Sequence, residues 1–156
     1  MNAACDERLG RRVMTRFEEA LRAHDLGELR RGNVEVLQIN VGKLCNQTCG
    51  HCHVNAGPGR KEVMTVETIN RIVEWLARTE IPKVDITGGA PEIIPGFRHL
   101  VDRVRALDRK IMDRCNLTIF FEPGQETLPE FLAENEVEIV ASLPCYSAKN
   151  VDSQRG

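Results

Sequence analysis

Apolar positions recur at two periods along the chain, and the order in which those periods alternate predicts the fold. Val13, Phe17, Ala20 and Leu21 fall at helical spacing, which predicts an amphipathic helix over residues 12–24. From Val34 to Val41 the period changes to two. Leu37, Ile39 and Val41 occupy one face, with Val34, Val36, Gln38 and Asn40 on the other, so this segment is a strand running into the Cys45 loop. Gly57-Pro58-Gly59 interrupts regular structure. Thr65 is then placed to cap a helix carrying Val66, Ile69, Val73 and Leu76 on one face, which ends near Arg78 ahead of Pro82. Residues 83–87 read as a short strand stopped by Gly88-Gly89, and residues 96–107 as a helix presenting Leu100, Val101, Val104 and Leu107. A strand over 110–115 follows, with 117–121 able to extend or replace it; Thr127 caps a helix to about Asn135, and 137–143 is a β-branched strand.

The order β-α-β-α-β-α-β predicts a parallel α/β sheet with right-handed crossovers. Residues 1–33 read as a helical extension and 34–156 as the sheet-bearing core. The last strand lacks a covering helix, and the closing polar residues Val151 to Gly156 resemble the first turn of one. The chain is therefore expected to be the N-terminal portion of a longer protein.

Composition narrows the function classes. With 42% hydrophobic and 28% charged residues, the chain has the balance of a folded globular protein. A formal net charge of -2 gives no electrostatic case for nucleic acid or an anionic membrane, and 4% aromatics offer little for base stacking. The first residues contain no apolar run suited to a signal peptide, and no stretch approaches the ~20 apolar residues of a membrane span. A cytoplasmic location is expected, where the six cysteines would be thiols or metal ligands.

The segment Cys45-Asn46-Gln47-Thr48-Cys49-Gly50-His51-Cys52 concentrates the chemistry. Its C-x3-C-x2-C spacing lets three thiolates converge on one centre where a loop curls after a strand. Structural zinc sites close with four ligands, whereas a three-thiolate cubane leaves one iron open to a ligand. His51 or His53 could complete a Cys3His zinc set, so a non-catalytic zinc module stays as an alternative. The Cys49–Cys52 pair has the spacing of a thioredoxin-like loop, a reading that leaves Cys45 unexplained.

Gly88-Gly89-Ala90-Pro91-Glu92, at the end of the second strand, allows the backbone to approach a ligand closely; the plainer reading is a tight turn. Asp113-Arg114-Cys115-Asn116 and Ala141-Ser142-Leu143-Pro144-Cys145-Tyr146 bring polar groups to the carboxyl edge of the third and fourth strands, where parallel α/β proteins gather ligands. Asn116 and Ser142 are open to a ligand role or to capping the next turn. Cys115 and Cys145 are either small buried hydrophobes or a pair of soft donors above the site, suited to a thiophilic trivalent arsenical.

With its place after the first strand, the C-x3-C-x2-C loop resembles the signature of radical S-adenosylmethionine (SAM) enzymes. The resemblance implies a partial (βα)6 TIM-like barrel of which this chain supplies the first four βα units. It also implies a [4Fe-4S] cluster on Cys45, Cys49 and Cys52, and SAM chelated by the open iron. One electron then cleaves a carbon–sulfur bond to release a 5′-deoxyadenosyl radical. An aromatic residue usually precedes the third cysteine, beside the adenine; His51 stands there instead. By the same resemblance, Gly88, Gly89, Ala90 and Pro91 contact the methionine amino group, with Glu92 as a charge partner. Asn116 and Ser142 hold the ribose and methionine carboxylate, and an electron donor such as flavodoxin or ferredoxin is the protein partner.

A narrower likeness is carried by Leu37–Val41 through Val54, Asp85–Glu92, Asp113–Thr118, Phe121–Gln125 and Ala141–Tyr146. These segments resemble the arsenosugar biosynthesis radical SAM proteins. That likeness implies transfer of the 5′-deoxyadenosyl group to trivalent dimethylarsenic, with Cys115 and Cys145 as arsenic ligands. A radical SAM enzyme acting on a peptide or another small metabolite is the alternative.

Overall fold

The computed structural model describes residues 15–27 and 29–155. They belong to two units, Met1–Asn33 and Val34–Gly156. In the first, α1 (Arg16–Ala23) starts at a capping box. Thr15 Oγ1 accepts from the Glu18 amide at 3.3 Å, and Glu18 Oε2 accepts from the Thr15 amide at 2.8 Å. None of the residues of α1 is buried, and Val13, which the sequence places on its apolar face, lies outside the described residues.

The second unit is built on four parallel strands in the order β1 (Val36–Asn40), β2 (Lys83–Thr87), β3 (Lys110–Cys115) and β4 (Glu138–Ala141). Helices α2 (Val66–Leu76), α3 (Phe97–Arg105) and α4 (Leu128–Glu134) connect them in turn, and α5 (Ala148–Arg155) follows β4. This is the α/β arrangement of parallel strands that a partial TIM-like radical SAM barrel requires. Thr65 caps α2 as its sequence predicts, its hydroxyl accepting from the Thr68 amide at 3.2 Å. Ile69, Val73 and Leu76 of α2 and Leu100, Val101 and Val104 of α3 are buried against Ile39, Val84, Ile86 and Ile111. Each such side chain contributes about 1.5–3 kcal/mol relative to exposure.

Strand alternation gives the sheet two unlike faces. Leu37, Ile39, Val84, Ile86 and Ile111 meet the helices, whereas Gln38, Asp85 and Arg114 hydrogen bond to one another on the opposite face. That polar face is the inner wall of the partial barrel.

Three local expectations are corrected. β3 stops at Cys115: Leu117 is left-handed at φ 63°, which no strand accommodates, and Thr118–Phe121 forms a 3-10 turn. Thr127 makes no capping bond to α4; its hydroxyl accepts from Arg98 Nη2 at 3.0 Å. β4 is shorter than the β-branched run suggests, covering only Glu138–Ala141.

Candidate functional site

β1 delivers the chain into the cysteine loop through Gly42, whose φ of 139° is closed to most side chains. The loop is held by backbone bonds from Lys43 N to Glu62 O at 2.8 Å and from Gly57 N to Lys43 O at 3.0 Å. Cys45 is buried, while Cys49 and Cys52 are half-buried. Amide donors face two of the sulfurs, Gln47 N at 3.5 Å from Cys45 Sγ and Ala56 N at 3.3 Å from Cys52 Sγ. The Asn116 side-chain amide adds a third donor 3.8 Å from Cys45 Sγ. Donors of this kind stabilise thiolate and tune an iron–sulfur cluster. Burial raises the Cys45 thiol above its ordinary pKa, and the neighbouring sulfurs of Cys49 and Cys52 add to that rise.

The spacing of these sulfurs bears on what they can hold. Among the described residues, the one trio of Cys, His, Asp or Glu side chains whose ligand atoms all lie within 4.8 Å of one another is Glu92, Asp113 and Cys115. Cys45, Cys49 and Cys52 are therefore splayed wider than that, and neither histidine closes a tighter set with them. A single zinc with bonds of about 2.3 Å draws its thiolates closer together. A cubane, presenting a separate iron to each thiolate, fits three splayed donors.

Gly88 and Gly89 have a structural duty alongside any ligand role. Gly89 N donates to Gly42 O at 3.0 Å and Ala90 N to Leu44 O at 2.8 Å, tying the second strand's end to the cysteine loop. The amides of Gly89 and Ala90 are thus engaged within the protein. A Cβ on Gly89 would stand 2.1 Å from Leu44 O, so only glycine permits this approach. Both glycines line a cavity of about 360 Å³ together with Cys45, Cys49, Cys52 and His51.

The ends of β3 and β4 complete that cavity with Asn116, Ser142 and Arg114, and α5 adds Arg155. Asn116 does double work. Its Oδ1 caps the following turn by accepting from Ile119 N at 3.2 Å and Thr118 Oγ1 at 3.0 Å. Its amide meanwhile reaches Asn46 Oδ1 at 2.8 Å and the Cys45 sulfur. Arg155, at the end of α5, donates to Gln47 Oε1 at 3.0 Å, to Asn116 O at 2.9 Å and to Ser142 O, and its buried Nε has no partner. Replacing Arg155 with methionine removes its bonds to Gln47, Asn116 and Ser142 and is expected to lower stability by about 1–3 kcal/mol in urea unfolding.

Several residues expected at the site face elsewhere. Cys115 is 0% exposed and absent from the cavity lining, because alternation along β3 turns it with Ile111 and Asp113 towards the helices. Glu92 is likewise buried, beside Asp113 and Cys115, rather than open to an ammonium group in the cavity. Ala90 and Pro91 are buried in the turn. Cys145 is half-buried beyond the cavity, with the Ser147 backbone N–H holding its thiol below its ordinary pKa. A Cys115–Cys145 pair facing the cluster pocket is therefore not formed.

Arg114, one of the polar residues expected at the carboxyl edge, lines the cavity and also pairs across the sheet. Arg114 clasps Asp85 with Nε at 2.9 Å from Oδ1 and Nη2 at 2.8 Å from Oδ2, while Gln38 Nε2 donates to Oδ2 at 2.7 Å. The Arg114 guanidinium holds the Asp85 carboxyl below the usual aspartate range. A depressed folded-state pKa gives stability that is present above the unfolded value and lost as pH falls through the folded one. Asp85→Asn is expected to lower stability by about 1–3 kcal/mol at neutral pH, and the gap from wild type should close as urea midpoints are followed below about pH 4. Period-two alternation could have placed Arg114 on the inner face with Met112. The closing residues read as the first turn of a helix, and α5 does carry Arg155, but its return to the cavity is a tertiary contact that no local pattern marks.

Comparison with known proteins shows the family. The Radical SAM superfamily profile matches residues 39–142, and the chain belongs to that superfamily. Its members use a [4Fe-4S] cluster and SAM. A probable GTP 3',8-cyclase of Pyrococcus horikoshii is 36% identical over 69 residues, which cover 44% of this chain and 22% of the relative. The chain thus spans about a fifth of the length of the curated relatives it matches. Streptococcus suis SuiB bound to S-adenosylmethionine superposes with a TM-score of 0.63 at 21% identity, covering 88% of this chain and 29% of SuiB. SuiB bound to its precursor peptide SuiA gives 0.65 at 18% identity, covering 99% and 35%. Both likenesses are of fold. No helix among the described residues is long and apolar enough to cross a membrane.

Proposed function

We propose that Cys45, Cys49 and Cys52 hold the [4Fe-4S] cluster and that the adjoining cavity binds SAM, whose 5′-deoxyadenosyl group is transferred to a trivalent methylated arsenical. The observation that carries the first part is the convergence of the three thiols with Gly88, Gly89, Asn116, Ser142 and Arg155 on one cavity. When bound, the cluster supplies the electron that cleaves SAM, received from a donor such as flavodoxin or ferredoxin. The carbonyls of Gly88 and Gly89, which accept no hydrogen bond among the described residues, are suited to the methionine ammonium. Arg155 and the Ser142 hydroxyl are suited to its carboxylate, Asn116 to the ribose, and His51 to the adenine edge.

The arsenical rests on the likeness of the strand-end segments to arsenosugar biosynthesis proteins. With Cys115 turned into the core, Cys145 is the thiol left on this edge to meet arsenic. A second reading, a purine nucleotide or another small metabolite, is favoured by the GTP 3',8-cyclase names of the relatives. Anaerobic turnover with SAM, reductant and either trivalent dimethylarsenic or GTP decides between them by mass spectrometry. A product containing both arsenic and the adenosyl carbon skeleton supports the first. Consumption of GTP, or 5′-deoxyadenosine as the sole product with the arsenical present, overturns it.

A further inference from the structure

The cluster pocket does not use the polar group buried on the other side of β3. Glu92 sits in the 3-10 turn Pro91–Ile93, directly after the Gly88-Gly89 pair. Asp113 and Cys115 lie two residues apart on β3 and so share its helix-facing side. All three are buried, at 4%, 0% and 0% exposure, and one donor atom from each lies within 4.8 Å of the other two. No amide, hydroxyl or cationic donor of another residue reaches the four carboxylate oxygens, and the contacts of Glu92 are with Asp113 and the Cys115 thiol.

Buried carboxylates are ordinarily paired, protonated or bound to a metal, because their desolvation must be offset. The sheet itself supplies the contrast. Asp85, equally buried on the inner face, receives bonds from Arg114 and Gln38. Glu92 and Asp113 face only each other and a thiol, an arrangement lacking a positive charge.

We infer that Glu92, Asp113 and Cys115 form a structural site for a zinc-class divalent cation that clamps the Pro91–Ile93 turn to the end of β3. The donor set selects the ion. One soft thiolate with two carboxylates suits zinc, whereas magnesium and calcium take six or more oxygen ligands and avoid sulfur. Three residues supply four donor atoms when one carboxylate binds through both oxygens, closing the tetrahedron in a site without room for substrate. As the ion enters, the Cys115 thiol proton and any proton held between the carboxyls leave for solvent, so charge is balanced without a redox step. The clamp would fix the two strand ends that carry Gly89 and Asn116, one on each side of the cluster pocket. It does not depend on what the three cluster thiols hold.

The test uses a Cys45→Ala, Cys49→Ala, Cys52→Ala variant, which removes the competing thiols. Cobalt(II) added to it under argon should develop a thiolate-to-cobalt charge-transfer band at one equivalent and raise the unfolding midpoint by on the order of 5 °C. A further Cys115→Ser change should abolish the band. Absence of the band, or its persistence after Cys115→Ser, overturns the inference. If the triple variant does not fold, zinc content decides on cluster-loaded wild type grown with added zinc. About one zinc per chain beyond the iron, lost in Cys115→Ser, supports the site. Iron without zinc overturns it.

Discussion

Cys49→Ala protein, reconstituted anaerobically beside wild type, is expected to retain almost no iron and to cleave SAM no faster than buffer. Cubane clusters in proteins are held through cysteine thiolates, and on the proposed assignment three of them bind three irons so that the fourth stays open to SAM. Removing one leaves a second iron without a protein ligand, and no other described cysteine lines the cavity to replace it. Cys45→Ala and Cys52→Ala should behave alike. The effect on folding should be far smaller, because Cys49 is only half-buried and lies outside the hydrophobic core. Iron and sulfide assays, the visible absorbance of the cluster, and chromatography of 5′-deoxyadenosine measure the loss. A Cys49→Ala protein that keeps a full complement of iron would remove Cys49 from the ligand set.

Gly89→Ala should produce the second large effect by a different route. The new methyl would lie 2.1 Å from Leu44 O and 2.7 Å from Leu44 C. Both are backbone atoms of the cysteine loop and cannot rotate aside. The loop must move, losing the Gly89 N to Gly42 O and Ala90 N to Leu44 O bonds that register it against β2. Overpacking of this kind costs about 1–3 kcal/mol, and lost buried hydrogen bonds add about 1 kcal/mol each. Cluster occupancy should fall along with the urea midpoint. Gly59→Ala is the matched control, since nothing lies within 4 Å of its added Cβ. Equal stability and iron content in the two variants would show that the glycine contact does not position the site.

The two glycine-bearing loops illustrate what the sequence could and could not convey. The alternation of Leu37, Ile39 and Val41 located β1, and the Gly57-Pro58-Gly59 break and Thr65 cap located the start of α2, because these signals are local. The C-x3-C-x2-C spacing marked the cysteine loop for the same reason. That Gly88 and Gly89 serve the packing of one loop on another was invisible, since the contact joins positions more than forty residues apart. Hydrophobic alternation also held the information that Cys115 shares a face with Ile111 rather than with Arg114. Its place at the carboxyl edge obscured this: a residue at the end of a strand can point to either face, and being near the mouth does not open it to the mouth. Glu92 turned inward for a related reason. A charged residue after a glycine pair is expected to be exposed, and only the buried Asp113 and Cys115 across from it show otherwise.

The inner face of the sheet was harder still. Gln38, Asp85 and Arg114 come from three strands, and their pairing follows from the register Gln38↔Asp85 and the neighbouring turn of β3. Arg155 depends on α5 returning to the cavity after β4, a tertiary event for which no local pattern exists.

The most direct measurement is electron paramagnetic resonance of the reduced, anaerobically reconstituted chain with and without SAM, coupled to metal analysis. About four irons per chain and a cluster signal that changes when SAM is added are predicted, because one iron has no thiolate and accepts the cofactor. Zinc in place of iron in the three-cysteine loop, or a cluster signal indifferent to SAM, would contradict the assignment of an open iron above Cys45, Cys49 and Cys52.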